Sequence, residues 1–86
     1  MTQKFMKLPK ATHILSVLNK HESMNITQIQ LETKITYAHI TNTIKYFGEE
    51  KFVICQRSGR TNNVMLTTKG RRLNEYFNKI KELIRE

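Results

Sequence analysis

The sequence VMLTTKGRRL, residues 64–73, has the pattern of a β-strand that turns directly into a helix. It opens with apolar strand-forming residues, and Thr67 is a residue type that caps helix N-termini. Three of its ten residues are basic and none is acidic. The stretch is therefore predicted to be a cationic joint between a strand and a helix.

The residues on either side of this joint predict a β-hairpin and a long helix. The segment FVICQR, Phe52–Arg57, is rich in β-formers, and the polar cluster SGRTNN that follows it contains Gly59 and indicates a turn. Asn63–Leu66 is then expected to pair back as the second strand. The helix after Thr67 carries an apolar stripe at spacings of three and four residues, formed by Leu73, Tyr76, Phe77, Ile80, Leu83 and Ile84.

Three helices and a short extended bridge are predicted upstream. Pro9 suits the first turn of a helix that ends near His21, and residues 24–26 form a short extended bridge. Thr27 is expected to cap a second helix that ends near Thr33 or Lys34. Ile29 and Leu31 are expected to supply the apolar contacts of this second helix. Thr36 is expected to cap a third helix, which runs to about Glu50. This third helix buries Ile40, Ile44 and Phe47 on one face.

The connection between the second and third helices is only three or four residues long. This is the spacing of a helix-turn-helix, and a basic hairpin directly after its second helix is a wing. We therefore expect an α+β, mainly helical fold: a winged helix-turn-helix with a C-terminal dimerisation helix. Residues 1–86 form a single domain with a basic arm at 1–8, the core and wing at 9–67, and the final helix at 68–86.

Two motifs resemble those of MarR-like winged-helix proteins. Leu66, Thr67, Lys69, Gly70 and Arg71 match the L-T-x-K-G-R signature that closes the wing in that family. Residues 35–53, ITYAHITNTIKYFGEEKFV, resemble its recognition-helix pattern, with Lys51 in place of the glycine that precedes its "L-V" exit. The chain lacks the extra helices that form the effector pocket in typical members, and it looks closer to compact archaeal or viral winged-helix proteins. The resemblance implies DNA binding, and because of this departure from the family pattern we expect no small-molecule effector.

Charge points to the same class of partner. The formal net charge is +8, and residues 53–72 hold five basic residues and no acidic one. A basic surplus concentrated in one segment favours a polyanion such as nucleic acid. We find no apolar run of the roughly 20 residues that cross a bilayer, and no signal-peptide pattern. We therefore expect a cytoplasmic protein with no membrane partner, at the nucleoid or, if the source is a virus, in the host cytoplasm.

Candidate DNA contacts follow from helix-turn-helix docking, in which the second helix enters the major groove. Ala38, Thr41 and Asn42 are expected at base edges, and Tyr37, His39 and Lys45 at phosphates or sugars. The remaining candidates are Thr27 and Gln28 at the start of the first helix of the motif, Arg57, Arg60 and Asn62 in the wing, and Lys69 and Arg71 after it. Tyr46 lies on the same face of the third helix, and for this side chain a position exposed to DNA and a partly buried position are equally favoured.

Other chemistries find little support in the sequence. Cys55 is the only cysteine and lies among apolar strand residues, so we expect it to be packed, with redox sensing as the alternative. His13, His21 and His39 lack metal-ligand spacing, the chain has no aspartate, and no nucleophile motif or phosphate-binding glycine loop is present. We therefore predict no enzyme activity, no metal and no cofactor.

The leading interpretation is a double-stranded DNA-binding transcription regulator, a homodimer on a palindromic site that represses by occlusion. The final helix would form the dimer, because its apolar stripe is longer than a small core can cover. Three alternatives remain open: an architectural DNA binder with low sequence specificity, a winged helix that binds proteins, and an amphipathic membrane binder.

Overall fold

Residues 8–85 are described by the computed structural model of the chain. Four helices and three strands follow one another in this range: α1 Leu8–Lys20, β1 Met24–Asn25, α2 Ile26–Thr33, α3 Tyr37–Glu49, β2 Val53–Ser58, β3 Thr61–Leu66 and α4 Thr68–Arg85. The order agrees with the winged helix-turn-helix predicted from the sequence. The predicted basic arm lies outside the described residues except for Leu8, where α1 begins.

The core forms where the apolar stripes of α1 and α3 meet the base of the sheet. The largest fully buried side chains are Ile14, Leu15, Leu18, Ile29, Ile40 and Val64. In α3 the buried positions are Ile40, Ile44 and Phe47, as the sequence pattern predicted. Thr36 begins this helix as predicted, because its Oγ1 accepts a hydrogen bond from the backbone N–H of His39 at 3.3 Å. The opposite face of α3 is consequently free to meet a partner.

The start of α2 differs from the prediction. The cap is Asn25 and not Thr27: the Oδ1 of Asn25 accepts a hydrogen bond from the N–H of Gln28 at 2.8 Å. In return the Oε1 of Gln28 accepts from the N–H of Asn25 at 3.0 Å. This reciprocal capping box satisfies two backbone donors, whereas a cap at Thr27 offers one. Thr27 is therefore an exposed residue in the first turn of the helix.

The prediction that Leu31 contacts the core is wrong. Ile29 and Thr33, four residues apart, form the buried face of α2. Leu31 lies two positions from each of them and so points to the opposite side of the helix. Its side chain is 65% exposed.

The three strands form an antiparallel sheet in the order β1-β3-β2. The two wing strands pair from Val53 with Leu66 to Ser58 with Thr61. The turn is therefore only Gly59 and Arg60, shorter than the six-residue cluster predicted, because Thr61–Leu66 belong to β3. Gly59 has φ of 63°, the backbone conformation that a two-residue hairpin turn requires and that glycine adopts without strain.

The C-terminal end of α3 adopts a left-handed turn at Lys51, whose φ is 66°. The N–H of Phe52 donates to the carbonyl of Phe47 at 2.8 Å, and the N–H of Lys51 donates to that of Gly48 at 3.1 Å. This pair of bonds is the Schellman motif. The rings of Phe47 and Phe52 meet edge to face at 6.0 Å between centroids, which provides the hydrophobic contact that accompanies the motif.

The joint from β3 to α4 packs tightly against this turn. Thr67 caps α4 as predicted, since its Oγ1 accepts a hydrogen bond from the N–H of Gly70 at 3.0 Å. The same Oγ1 lies 2.7 Å from the carbonyl oxygen of Lys51 and 3.1 Å from that of Phe52. Gly70 is buried, and a Cβ there would clash with the carbonyl oxygen of Phe52. A glycine is therefore needed where α4 crosses the end of α3.

Candidate nucleic-acid interface

The face of α3 opposite the core carries most of the predicted recognition residues. Tyr37, Ala38, Asn42 and Lys45 are exposed there. Thr41 is half-buried, and its hydroxyl donates a hydrogen bond to the carbonyl of Ala38 at 3.0 Å. These side chains form a polar surface that begins at the first turn of the helix.

His39 lies between this surface and the core. It is half-buried, and its Nε2 is shielded from solvent. Tyr46, for which burial was an equal alternative, is 51% exposed. Histidine at position 39 is consequently less accessible to a phosphate than its neighbours Tyr37 and Lys45.

The wing presents the second set of predicted residues. Arg57, Arg60 and Asn62 are all exposed. The Nε of Arg57 donates a hydrogen bond to the carbonyl of Gly59 at 3.4 Å, so this arginine folds back over the turn. Arg60 is the second residue of the turn itself. It therefore places a positive charge at the furthest point of the hairpin.

Two adjoining concave surfaces lie between the wing and the helices, and together we call them the saddle. The first is mainly polar, with a volume of about 200 Å³, and is lined by Asn25, Ile26, Thr27, Tyr37, Arg60, Thr61 and Asn62. The second is mainly apolar, with a volume of about 270 Å³, and is lined by Ile26, Tyr37, Thr41, Ile44, Lys45, Gly48, Cys55, Asn62 and Val64. Ile26, Tyr37 and Asn62 line both, which joins them into one surface.

The charged residues that line the saddle are all basic. Lys45 and Arg60 line it, and none of the lining residues is acidic. The fold thus brings together six of the predicted DNA contacts from three elements: Thr27 from α2, Tyr37, Thr41 and Lys45 from α3, and Arg60 and Asn62 from the wing. A positive concave surface with hydroxyl and amide groups matches the phosphate backbone and groove edges of nucleic acid.

Several residues of the saddle were not predicted from the sequence. Asn25 and Thr61 line its polar part, and Gly48 and Cys55 line its apolar part. A signal for Asn25 was present, because Gln28 stands three residues after it as in a capping box. Gln28 itself, a predicted contact, is exposed and uses its Oε1 in that cap.

Cys55 corrects another prediction. It is exposed and not packed in the core. It shares a face of β2 with the buried Val53, but it lines the open apolar part of the saddle between the wing and α3. Partial burial against the saddle raises the pKa of the Cys55 thiol. A raised pKa keeps the sulfur protonated at neutral pH, which disfavours a reactive thiolate.

Lys69 and Arg71 do not line the saddle. The Nζ of Lys69 donates to the carbonyl of Glu50 at 2.8 Å and lies 4.7 Å from the ring centroid of Phe52. The Nη1 of Arg71 donates to the Oδ1 of Asn19 in α1 at 3.4 Å. These contacts account for cations in the first turn of α4, where the helix dipole disfavours them.

The final helix divides the residues predicted for the dimer interface into two groups. Leu73 and Phe77 pack partly against the core of their own chain. Tyr76, Ile80, Leu83 and Ile84 are 60%, 46%, 70% and 77% exposed. The exposed group lies mostly in the second half of α4. It forms an apolar surface that the described part of the chain leaves uncovered.

Residues 8–85 lack both a metal-ion cluster and a membrane-spanning helix. They contain no group of three or more histidine, cysteine or acidic side chains arranged to hold a metal ion. Within the same range, no helix combines the length and the hydropathy needed to cross a membrane.

Solved structures of other proteins have the same architecture. No family model and no curated sequence matches the chain. Among solved structures, it is similar to AF1382 from Archaeoglobus fulgidus with a TM-score of 0.81 and 24% identity, over 100% of this chain and 99% of that one.

Two longer proteins share the fold. BpsR of Bordetella bronchiseptica, whose DNA binding is regulated by 6-hydroxynicotinic acid, has a TM-score of 0.80 and 23% identity over 86% of this chain and 54% of its own. A MarR transcriptional regulator from Methanosarcina mazei Go1 has a TM-score of 0.76 and 26% identity over 84% of this chain and 49% of its own. The chain therefore spans about half the length of these two regulators. It has the MarR-like winged-helix fold.

Proposed function

We propose that the protein is a transcription regulator that binds double-stranded DNA. The observation that carries this proposal is the saddle, where α2, α3 and the wing present hydroxyl, amide and cationic groups on one concave surface without an acidic residue. The fold shared with a MarR transcriptional regulator supports the same reading. In a winged helix-turn-helix this surface is the one that faces the duplex.

The roles of the side chains follow from their positions. The exposed start of α3 enters the major groove, where the amide of Asn42 pairs with adenine and Ala38 or Thr41 contacts a thymine methyl group. Lys45 and Tyr37 bind phosphates on the strand that crosses the saddle. The other proposed backbone contacts are Thr27, Gln28, His39, Arg57 and Asn62. Arg60 binds a phosphate or reaches into the adjacent minor groove, whose narrow A·T-rich form attracts arginine.

The active form that we propose is a homodimer. The second half of α4 leaves Ile80, Leu83 and Ile84 exposed on one side of the helix. A two-fold partner packed along this side would remove the apolar surface from water, and it would place two α3 helices on one face of the duplex. The preferred site is then a palindrome with half-sites about 10–10.5 base pairs apart or a multiple of that. Repression by occlusion of a promoter follows from binding alone and needs no further domain.

The test is selection of bound duplexes from a random pool, followed by titration of two variants. Arg60→Ala should weaken binding to every duplex and make log K against log salt shallower by about 0.9, the contribution of one phosphate contact. Asn42→Ala should cost about 1–3 kcal/mol on the preferred site only. Lys81→Ala, which removes one positive charge from an exposed position of α4 outside the saddle, is the matched control and should change neither quantity.

Two outcomes would contradict the proposal. Equal affinity for selected and random duplexes would indicate an architectural DNA binder. Absence of binding at moderate salt, with Arg60→Ala indistinguishable from the wild type in every assay, would indicate a protein-interaction module.

A further inference from the structure

We propose that Lys69 is a positioning residue: it fixes the C-terminal end of α3 to the first turn of α4 and thereby sets the angle at which α3 meets DNA, without contacting a phosphate itself. This inference rests on the proposed function of the saddle. It assigns a role in recognition to a side chain that lies outside the saddle.

The contacts of Lys69 are directed at the end of α3. Glu50 is the C-cap of that helix, so its carbonyl oxygen is among those that have no partner within the helix. The Nζ of Lys69 donates to this oxygen at 2.8 Å. An ammonium group at this end also opposes the negative pole of the helix dipole. The face of the Phe52 ring lies 4.7 Å from the same Nζ and adds a cation–π contact.

Lys69 belongs to a connected set of bonds between the two elements. The first turn of α4 and its cap hold three successive carbonyls after α3. Lys69 binds that of Glu50, the Oγ1 of Thr67 binds that of Lys51 at 2.7 Å, and the N–H of Thr67 binds that of Phe52 at 3.0 Å. Among these donors, Lys69 is the one that acts on the helix cap itself.

A small tilt at this end becomes a large displacement at the other. The 13 residues of α3 extend over roughly 20 Å at 1.5 Å per residue. A tilt of about 10° at Glu50 would therefore move the exposed start of the helix by roughly 3 Å. A displacement of this size separates a side chain from the base edge to which it is hydrogen-bonded.

The experiment separates positioning from phosphate contact by the salt dependence of DNA binding. Lys69→Met and Lys45→Met are titrated against the selected duplex and a random duplex over a series of salt concentrations. We expect Lys69→Met to reduce the ratio of specific to random affinity roughly tenfold, the discrimination carried by one base contact, with an unchanged salt slope. Lys45→Met should reduce the slope by about 0.9. Lys69→Arg should restore the ratio, because a guanidinium can also donate to a carbonyl and stack on a ring.

Two results would overturn the role. A salt slope that falls by about 0.9 in Lys69→Met would show a phosphate contact. An unchanged affinity ratio with only a lower Tm would show a purely structural side chain. Thermal unfolding is measured for each variant, and titrations are made where all are folded. If Lys69→Met does not fold, Lys69→Gln replaces it under the same criteria. A wild-type chain that binds no duplex would instead remove the proposed function and this role with it.

Discussion

The two halves of α4 carry the same apolar stripe and have different surroundings. In residues 68–77, Gly70 and Asn74 are buried and Leu73 and Phe77 pack against the core. In residues 78–84 every side chain is exposed, although Ile80, Leu83 and Ile84 continue the same apolar stripe. The first half belongs to the fold of one chain, whereas the second half has the composition of an interface.

The difference lies in the polar and small residues, not in the apolar ones. Both halves have leucine, isoleucine or an aromatic residue at three-four spacing, so periodicity alone does not separate them. Only the first half has the Thr67 cap, the glycine that allows close approach and the lysine that reaches the end of α3. Changes in the first half should therefore affect folding, and changes in the second half should affect assembly.

The largest effect is expected from the double variant Ile80→Glu and Leu83→Glu. Burial of each of these two side chains stabilises a dimer by about 1.5–3 kcal/mol. Unpaired charge in the dimer interface would destabilise it further. The variant should sediment as a monomer with its helical circular dichroism retained. It should lose most of its affinity for a full palindrome and little for a half-site.

The matched control combines Asn78→Glu with Lys81→Gln, which together change the net charge as the stripe variant does, at exposed positions off the apolar stripe in the same part of α4. This variant should still sediment as a dimer. A wild-type chain that is monomeric at tens of micromolar, or a stripe variant that still dimerises, would contradict the two-fold arrangement.

An intermediate effect is expected from Gly70→Ala in the first half. The new methyl group would clash with the backbone carbonyl of Phe52, which cannot move away as a flexible side chain does. Overpacking of this kind typically costs about 1–3 kcal/mol of unfolding free energy. Chemical denaturation monitored by circular dichroism measures the loss.

Gly48→Ala is the control glycine, because a Cβ there has no atom within 4 Å and the residue lies inside α3. It should stabilise the protein by about 0.5–1 kcal/mol through helix propensity. Equal behaviour of the two glycine variants would show that the crossing of α4 over α3 is looser than the structure has it.

The smallest effect is expected at the turn to which the first half of α4 is attached. Lys51 has φ of 66°, a conformation that costs a residue with a Cβ about 1 kcal/mol or more. Lys51→Gly should therefore raise the unfolding free energy by about 0.5 kcal/mol, since part of the gain is lost to the greater freedom of glycine in the unfolded chain. Lys51→Ala retains the Cβ and should leave stability unchanged. A Lys51→Gly variant less stable than Lys51→Ala would exclude this account.

The sequence predicted those parts of the fold that depend on local spacing. The positions of Ile40, Ile44 and Phe47 on one face of α3 follow from the helical period, and Thr36 and Thr67 were identified as caps from their residue type. The short connection between α2 and α3 followed from the distance between these patterns. The contacts of the saddle residues with DNA stay predictions.

Two of the errors share one physical cause, the tertiary surroundings of a residue, whereas the cap at Asn25 could have been identified from its local spacing to Gln28. Ile29 and Leu31 are equally apolar, and only the packing of α2 on α1 decides which is buried. Cys55 follows the pattern of Val53, but it lines the open saddle between the wing and α3 and stays exposed. The bond from Lys69 to the carbonyl of Glu50, 19 residues away in the sequence, could not be predicted from the local sequence for the same reason. A local sequence pattern does not contain this information about tertiary packing.

The two-residue turn of the wing limits how this hairpin can vary in length. Because neighbouring residues of a strand face opposite sides, a single inserted residue would invert the faces of every pair beyond it. Arg60 keeps its orientation only if each strand gains two residues, an insertion of four in all. Each such step extends the tip by about 6.6 Å, comparable with the rise of two base pairs. Divergent chains built on this hairpin should therefore reach along a duplex in discrete increments and not continuously.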